Sequence, residues 1–173
     1  FTTVADATDL PVIVYDIPGR TGTPIHTQTL LRMAAHPRIV AVKDAKGDLF
    51  AASEVMSQTD LQWYSGDDAL NLAHLTQGAV GIVSVVGHLA GRQYAEMVAA
   101  VVEGNLVRAI EIHRRLIPAV NVIMHITQGA TSVKAALHDR GVIATATVRL
   151  PQVPATPGQL AQMREGLEQS GLI

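Results

Sequence analysis

Four short runs of β-type composition recur in order: "LPVIVYDIP" (10–18), "RIVAVKDA" (38–45), "LQWYSGD" (61–67) and "AVGIVSVVG" (79–87). Helical patterns lie between them, and the runs are nearly continuous in apolar residues, as strands covered on both faces are. No G-x-G-x-x-G turn follows any of them. These observations predict an α/β fold on a parallel sheet, either doubly wound or part of a (β/α)8 barrel. A whole barrel takes about 250 residues, so 173 residues hold about half of one.

The elements follow in chain order. "FTTVADATDLP" reads as the last turns of a helix running into the first strand, which implies that further residues precede Phe1 in a parent protein. "PGRTG" (18–22) reads as a tight loop. "HTQTLLRMAAHP" is a helix that ends before Pro37, and "GDLFAASEVMSQT" is one that Asp48 caps. "DALNLAHLTQG" runs as a helix from Asp68 to Gly78, with Asp68 as its cap. After the fourth strand, "GRQYAEMVAAVVEGN" is amphipathic.

The remainder is helical. "NLVRAIEIHRRLIPAVNVIM" places Leu106, Ile110 and Ile117 at helical spacing, with a kink expected at Pro118. "TSVKAALHDRG" closes at Gly141, and the connector "LPQVPATPG" leads to a last helix. There Thr156 and Gln159 form a capping box, Pro157 takes the first helical position and Gly171 stops the chain turning. The expected organisation is therefore four βα units over 1–104 and a helical region over 105–173.

Composition narrows the function. Apolar residues make up 48% and charged ones 16%, so most of the chain is packed. A net charge of −2 with no basic block argues against nucleic acid or an anionic membrane as partner. No apolar run reaches the roughly 18 residues of a membrane-spanning helix. Cysteine is absent, which excludes disulfides and thiolate chemistry in this chain and fits a cytoplasmic protein. The seven histidines (26, 36, 74, 88, 113, 125, 138) form no H-x-H or H-x-x-x-H pair, so no metal site is expected. His88, just past the fourth strand, reads as a loop histidine.

In parallel sheets of this kind, reactive side chains sit at the carboxyl ends of strands. Tyr15 closes "VIVY" and Lys43 closes "VAVK". Alternation puts Ile39, Ala41 and Lys43 on one face and the bulkier Val40 and Val42 on the other, under helices. Desolvation disfavours an ammonium at a buried strand end, and a neutral amine there attacks carbonyls. The alternative is a lysine that snorkels from the barrel mouth. Tyr15 can relay protons, since a phenol both donates and accepts. Lys46, in the turn "DAKGD", is expected to be solvated. Arg20, on the "PGRTG" loop, suits bidentate capture of a carboxylate or pairs with a neighbouring Asp. Gly66 in "SGDD" allows close backbone approach to a ligand. Val83 or Ser84 can offer backbone groups to a keto acid, or simply pack.

"YDIPGRTG", "VAVKDAKGDL", "YSGDDAL" and "GAVGIVSVVGHLA", in this order, resemble the pyruvate-dependent class I aldolases of the dihydrodipicolinate synthase and N-acetylneuraminate lyase family. The resemblance covers nearly the whole chain. It implies the C-terminal half of a TIM barrel, strands five to eight, followed by a small helical C-terminal region. It further implies a Schiff base between Lys43 and pyruvate, Tyr15 as proton donor and acceptor, and Val83 in backbone contact with pyruvate. Arg20 would bind the carboxylate of L-aspartate 4-semialdehyde, and an arginine at this place favours the synthase branch over the sialic-acid lyases.

The implied reaction gives 4-hydroxy-tetrahydrodipicolinate on the route to lysine and diaminopimelate, with no cofactor and no metal. A homotetramer is the implied assembly. The family's Gly-Thr-Thr-Gly-Glu motif and a second relay tyrosine are absent, and Lys134 reads as structural. Two other readings remain open: a related lyase acting on sugar acids, and an inert fragment.

Overall fold

The computed structural model describes all residues from Phe1 to Ile173. The elements run α1 (Thr2–Asp6), β1 (Val12–Asp16), α2 (Pro18–Thr21), α3 (Thr27–Met33), β2 (Ile39–Asp44), α4 (Leu49–Met56), β3 (Gln62–Ser65), α5 (Asn71–Thr76), β4 (Gly81–Ile82), α6 (Gly87–Val102), α7 (Leu106–His125), α8 (Gly129–Asp139) and α9 (Pro157–Gln169). They form two compact units, Phe1–Val83 and Ser84–Ile173. No helix is long and apolar enough to cross a membrane.

The first unit holds one parallel sheet in the order β1-β2-β3-β4. Its helix-facing side carries Val14, Val42 and Trp63, which pack with Leu30, Met33, Ala52 and Val55 of α3 and α4. Each buried large aliphatic or aromatic side chain there contributes roughly 1.5–3 kcal/mol by leaving water. Asp48 starts α4 as expected, its carboxylate accepting from the Ala51 amide at 3.0 Å.

Four expectations are corrected here. The "PGRTG" stretch is a single helical turn, α2, closed by Gly22 at φ +72°. The fourth strand is strand only at Gly81–Ile82, which pair with Tyr64 and Ser65 of β3. Helix α5 starts at Asn71 with Leu70 as its cap residue, and Asp68 is instead buried, accepting from the Asn71 side-chain amide at 3.1 Å. Strict alternation fails at the start of β2. Val12 pairs with Ile39 but Ile13 pairs with Ala41, so Val40 is an extra residue in the ladder. This turns Ile39 into the core at 3% exposure and leaves Val40 37% exposed, the reverse of the expected faces.

The second unit is helical. α6 takes up its regular course after Ala90, whose φ of −123° and ψ of 29° separate a leading turn from the rest. α7 is continuous from Leu106 to His125 and carries Pro118 inside it. Proline removes one donor and crowds the preceding turn; the next amide, Ala119, donates to the buried Ser170 hydroxyl at 2.9 Å. The α9 backbone approaches α7 closely at Gly166, where a Cβ would lie 2.5 Å from a Val122 methyl. The capping box of Thr156 and Gln159 is present at the start of α9. Lys134 is exposed and donates to the Thr147 carbonyl at 2.7 Å.

Candidate active site

The ladder sets the site. Tyr15 on β1 pairs with Lys43 on β2, which pairs with Tyr64 on β3. Side chains paired across parallel strands project from the same face, so these three form a row at the carboxyl end of the sheet. Val14, Val42 and Trp63, one residue earlier in each strand, point the other way into the core. Tyr15 is 42% exposed, and Lys43 and Tyr64 are half-buried.

The Lys43 ammonium lies 3.8 Å from the centroid of the Tyr15 ring. The ring's negative face attracts the cation and holds the amine beside the phenol. On the other side, a Cβ at Gly66 would lie 2.9 Å from both Cγ and Cε of Lys43. Gly66 thus forms the trough along which the lysine's methylenes run, and what approaches its backbone is Lys43 itself. Gly81 does the same for Tyr64, whose ring would meet a Cβ there at 3.1 Å.

Arg20 is exposed in the last turn of α2, just past the end of β1, and no carboxylate pairs with it. Val83 is 44% exposed, and its amide already donates to the Ser65 carbonyl at 2.8 Å. What Val83 can offer a ligand is its carbonyl or its side chain. Ser84 accepts from the Gly87 amide at 2.7 Å, a turn-forming contact.

Lys46 departs from expectation. Its side chain is only 14% exposed, with Nζ 3.5 Å from Oδ2 of Asp16 and donating to the Ile25 carbonyl at 3.3 Å. Asp16 is 2% exposed and also accepts from the Ile25 amide at 3.1 Å. The Lys46 amide donates to Oδ1 of Asp44 at 2.7 Å. Turn position alone predicted solvent; the buried carboxylate on β1 draws the lysine inward because an unpaired buried charge is costly.

Behind the row, on the helix-facing side, lie the buried polar residues Asp16, Asp44 and Ser65, joined by Asn71 and His74 of α5. Burial pushes the His74 imidazole below its ordinary value of 6.5, against the opposing pull of Asp44 and Asp67. Sequence reasoning passed over this layer, although Asp16 and Asp44 each stand two residues after a core valine and so share its face. Tyr64 was also missed; its place beside Lys43 depends on the β2–β3 register, which composition does not report. A cleft of about 570 Å³ opens at the opposite, amino end of the strands, lined by Pro37, Val40, Asp60 and Gln62 among others, and includes none of the row.

An amine and a phenol from neighbouring parallel strands, raised at the strands' carboxyl ends, define an α/β protein with the site layout that barrel folds use. The chain belongs to the dihydrodipicolinate synthetase family, whose model matches residues 1–170. It is 60% identical to the 4-hydroxy-tetrahydrodipicolinate synthase of Kineococcus radiotolerans over 99% of its length. The crystal structure of the chloride-inhibited dihydrodipicolinate synthase from Acinetobacter baumannii, complexed with pyruvate, is similar at a TM-score of 0.92 and 31% identity, over 99% of this chain and 59% of that one. A dihydrodipicolinate synthase variant described as monomeric matches at 0.92 and 34%, over 99% and 59%. The chain spans 56–57% of the length of the curated relatives it matches first.

Proposed function

We propose that the chain carries the Schiff-base half of an enzyme that condenses pyruvate with L-aspartate 4-semialdehyde to 4-hydroxy-tetrahydrodipicolinate, in lysine and diaminopimelate biosynthesis. The observation that carries this is the Lys43 amine held 3.8 Å from the Tyr15 ring on the solvent-facing side of the sheet. Family membership and the pyruvate complex of a relative support the substrate. We further propose that β1–β4 are strands five to eight of an eight-stranded barrel, with the Tyr15–Lys43 face turned inward.

In this reading the Lys43 amine attacks the ketone carbon of pyruvate, and loss of water from the carbinolamine leaves an iminium. The iminium nitrogen accepts the electron pair when a methyl proton departs, so the scheme calls for neither metal nor organic cofactor. Tyr15 holds and returns the protons of these steps. The resulting enamine adds to the aldehyde, whose carboxylate Arg20 binds through its guanidinium fork. Val83 faces pyruvate through its carbonyl, Gly66 keeps the amine in place, and ring closure releases Lys43. A cytoplasmic homotetramer is the assembly this reading carries with it for the whole enzyme, and sedimentation of that enzyme tests the tetramer.

Borohydride reduction in the presence of pyruvate, followed by peptide mapping, tests the scheme. A reduced adduct on Lys43 supports it. An adduct on Lys46, or none on this chain, overturns it, and consumption of a sugar acid instead of aspartate semialdehyde moves the assignment to a lyase.

A further inference from the structure

Directly behind Lys43, three buried side chains present polar atoms with no protein partner: Oδ2 of Asp44, Oδ1 of Asn71 and both ring nitrogens of His74. All three residues are at most 1% exposed. Asn71 and His74 stand three positions apart on α5, hence on one face of it. Asp44 pairs with Ser65 at the end of β3, the strand against which α5 packs, and the charge of Asp44 reaches the His74 ring. The orientation of Asn71 is set by its Nδ2, which donates to Asp68, so the oxygen is the atom left over.

The inventory does not close within the protein. A neutral imidazole supplies one donor and one acceptor, while Asp44 and Asn71 add two acceptors. Three acceptors facing one donor cannot satisfy each other, and each buried orphan costs about 1–3 kcal/mol. A water molecule brings two donors and two acceptor sites, enough to serve Asp44, Asn71 and the His74 N–H. We propose that Asp44, Asn71 and His74 hold an internal water molecule between α5 and the sheet, and that this bridge fixes the end of β2 that presents Lys43. The water accepts from the His74 N–H and donates to Asp44 and Asn71.

Asp44 is the member that transmits the effect. Its carbonyl accepts from the Gly66 amide at 2.7 Å, and its Oδ1 accepts from the Lys46 amide at 2.7 Å. One residue thus ties the water, the trough residue Gly66 and the turn after Lys43 together. The ionisable groups acting on His74 are Asp44 from β2 and Asp67 from the loop before α5. The site itself stands apart from the pyruvate reading; only the consequence for the amine rests on it.

Nuclear magnetic resonance of the 173-residue chain, without pyruvate, tests the proposal. The expected result is a neutral His74 ring that does not titrate at 6.5, with a cross-peak from its N–H to a long-lived water. His74→Phe is expected to speed hydrogen exchange of the Gly66 and Lys46 amides about tenfold while the Val42 amide keeps its rate. His74→Gln, which keeps a donor and an acceptor, restores both amides to within about twofold. A His74 ring that titrates at 6.5 or above, a ring N–H with no water cross-peak, failure of His74→Gln to restore the two amides, or equal acceleration of Val42 overturns the proposal. Because no readout uses pyruvate, failure of this site and failure of the adduct on Lys43 are told apart.

Discussion

The two sides of the sheet's carboxyl end are built from adjacent residues and behave as opposites. On one side Tyr15, Lys43 and Tyr64 face solvent or are half-buried, and the lysine is held by a ring and a glycine trough. On the other side Asp16, Asp44 and Ser65 are at most 2% exposed, and the second lysine, Lys46, is drawn in against Asp16. Lys43 has no carboxylate partner, whereas Lys46 is paired with Asp16. An amine that must attack a carbonyl cannot be locked in an ion pair, and a buried carboxylate cannot be left without one. In the proposed scheme the two lysines three residues apart divide reactivity and stability between them.

Substituting each lysine separately is the strongest way to break that division. Lys43→Met is expected to abolish the borohydride-trapped pyruvate adduct while the unfolding free energy stays within about 1 kcal/mol of the parent. Lys46→Met is expected to keep the adduct and lose about 3–5 kcal/mol in denaturant unfolding, since Asp16 is then buried without its cation. If Lys46→Met instead unfolds at the parental midpoint, the structural assignment of Lys46 is wrong.

Gly66→Ala comes next in size. The added methyl collides with a flexible chain at 2.9 Å and with the Asp44 carbonyl at 3.1 Å, so the fold adjusts while Lys43 is pushed from its trough. The rate of adduct formation should fall about tenfold, equivalent to about 1.4 kcal/mol of barrier. An unchanged rate would mean that the trough does not position the amine.

The smallest effect belongs to pH and sharpens the picture of the buried side. Folding holds His74 below its ordinary 6.5, so beneath that value the unfolded chain binds more protons than the folded one. The His74 contribution is thus complete above about 6.5 and is lost as the pH falls from there toward the folded value. Thermal midpoints measured across this window should fall more in the parent than in His74→Gln, which keeps only the similar downward shift of His113. Equal acid sensitivity in both would place its origin in another group.

Much of the site is legible in the amino-acid sequence. The positions of Tyr15 and Lys43 one residue before the ends of their strands, the caps at Asp48 and Thr156 and the parallel βα order all follow from local pattern. Three of the failures share one cause. The extra residue at Val40, the inward course of Lys46 and the alignment of Tyr64 with Lys43 each depend on what lies across the ladder. A turn lysine is solvated by default, and only a buried carboxylate on the neighbouring strand reverses that.

The amino-acid sequence by itself determined the α/β class, the order of elements and which lysine ends a strand, because apolar period, capping chemistry and alternation act within a few residues. Tertiary structure alone decided the strand register, the trough at Gly66 and the pairing of Lys46 with Asp16. These are contacts between segments distant in sequence, selected by packing and by the cost of burying charge, and no local pattern encodes them.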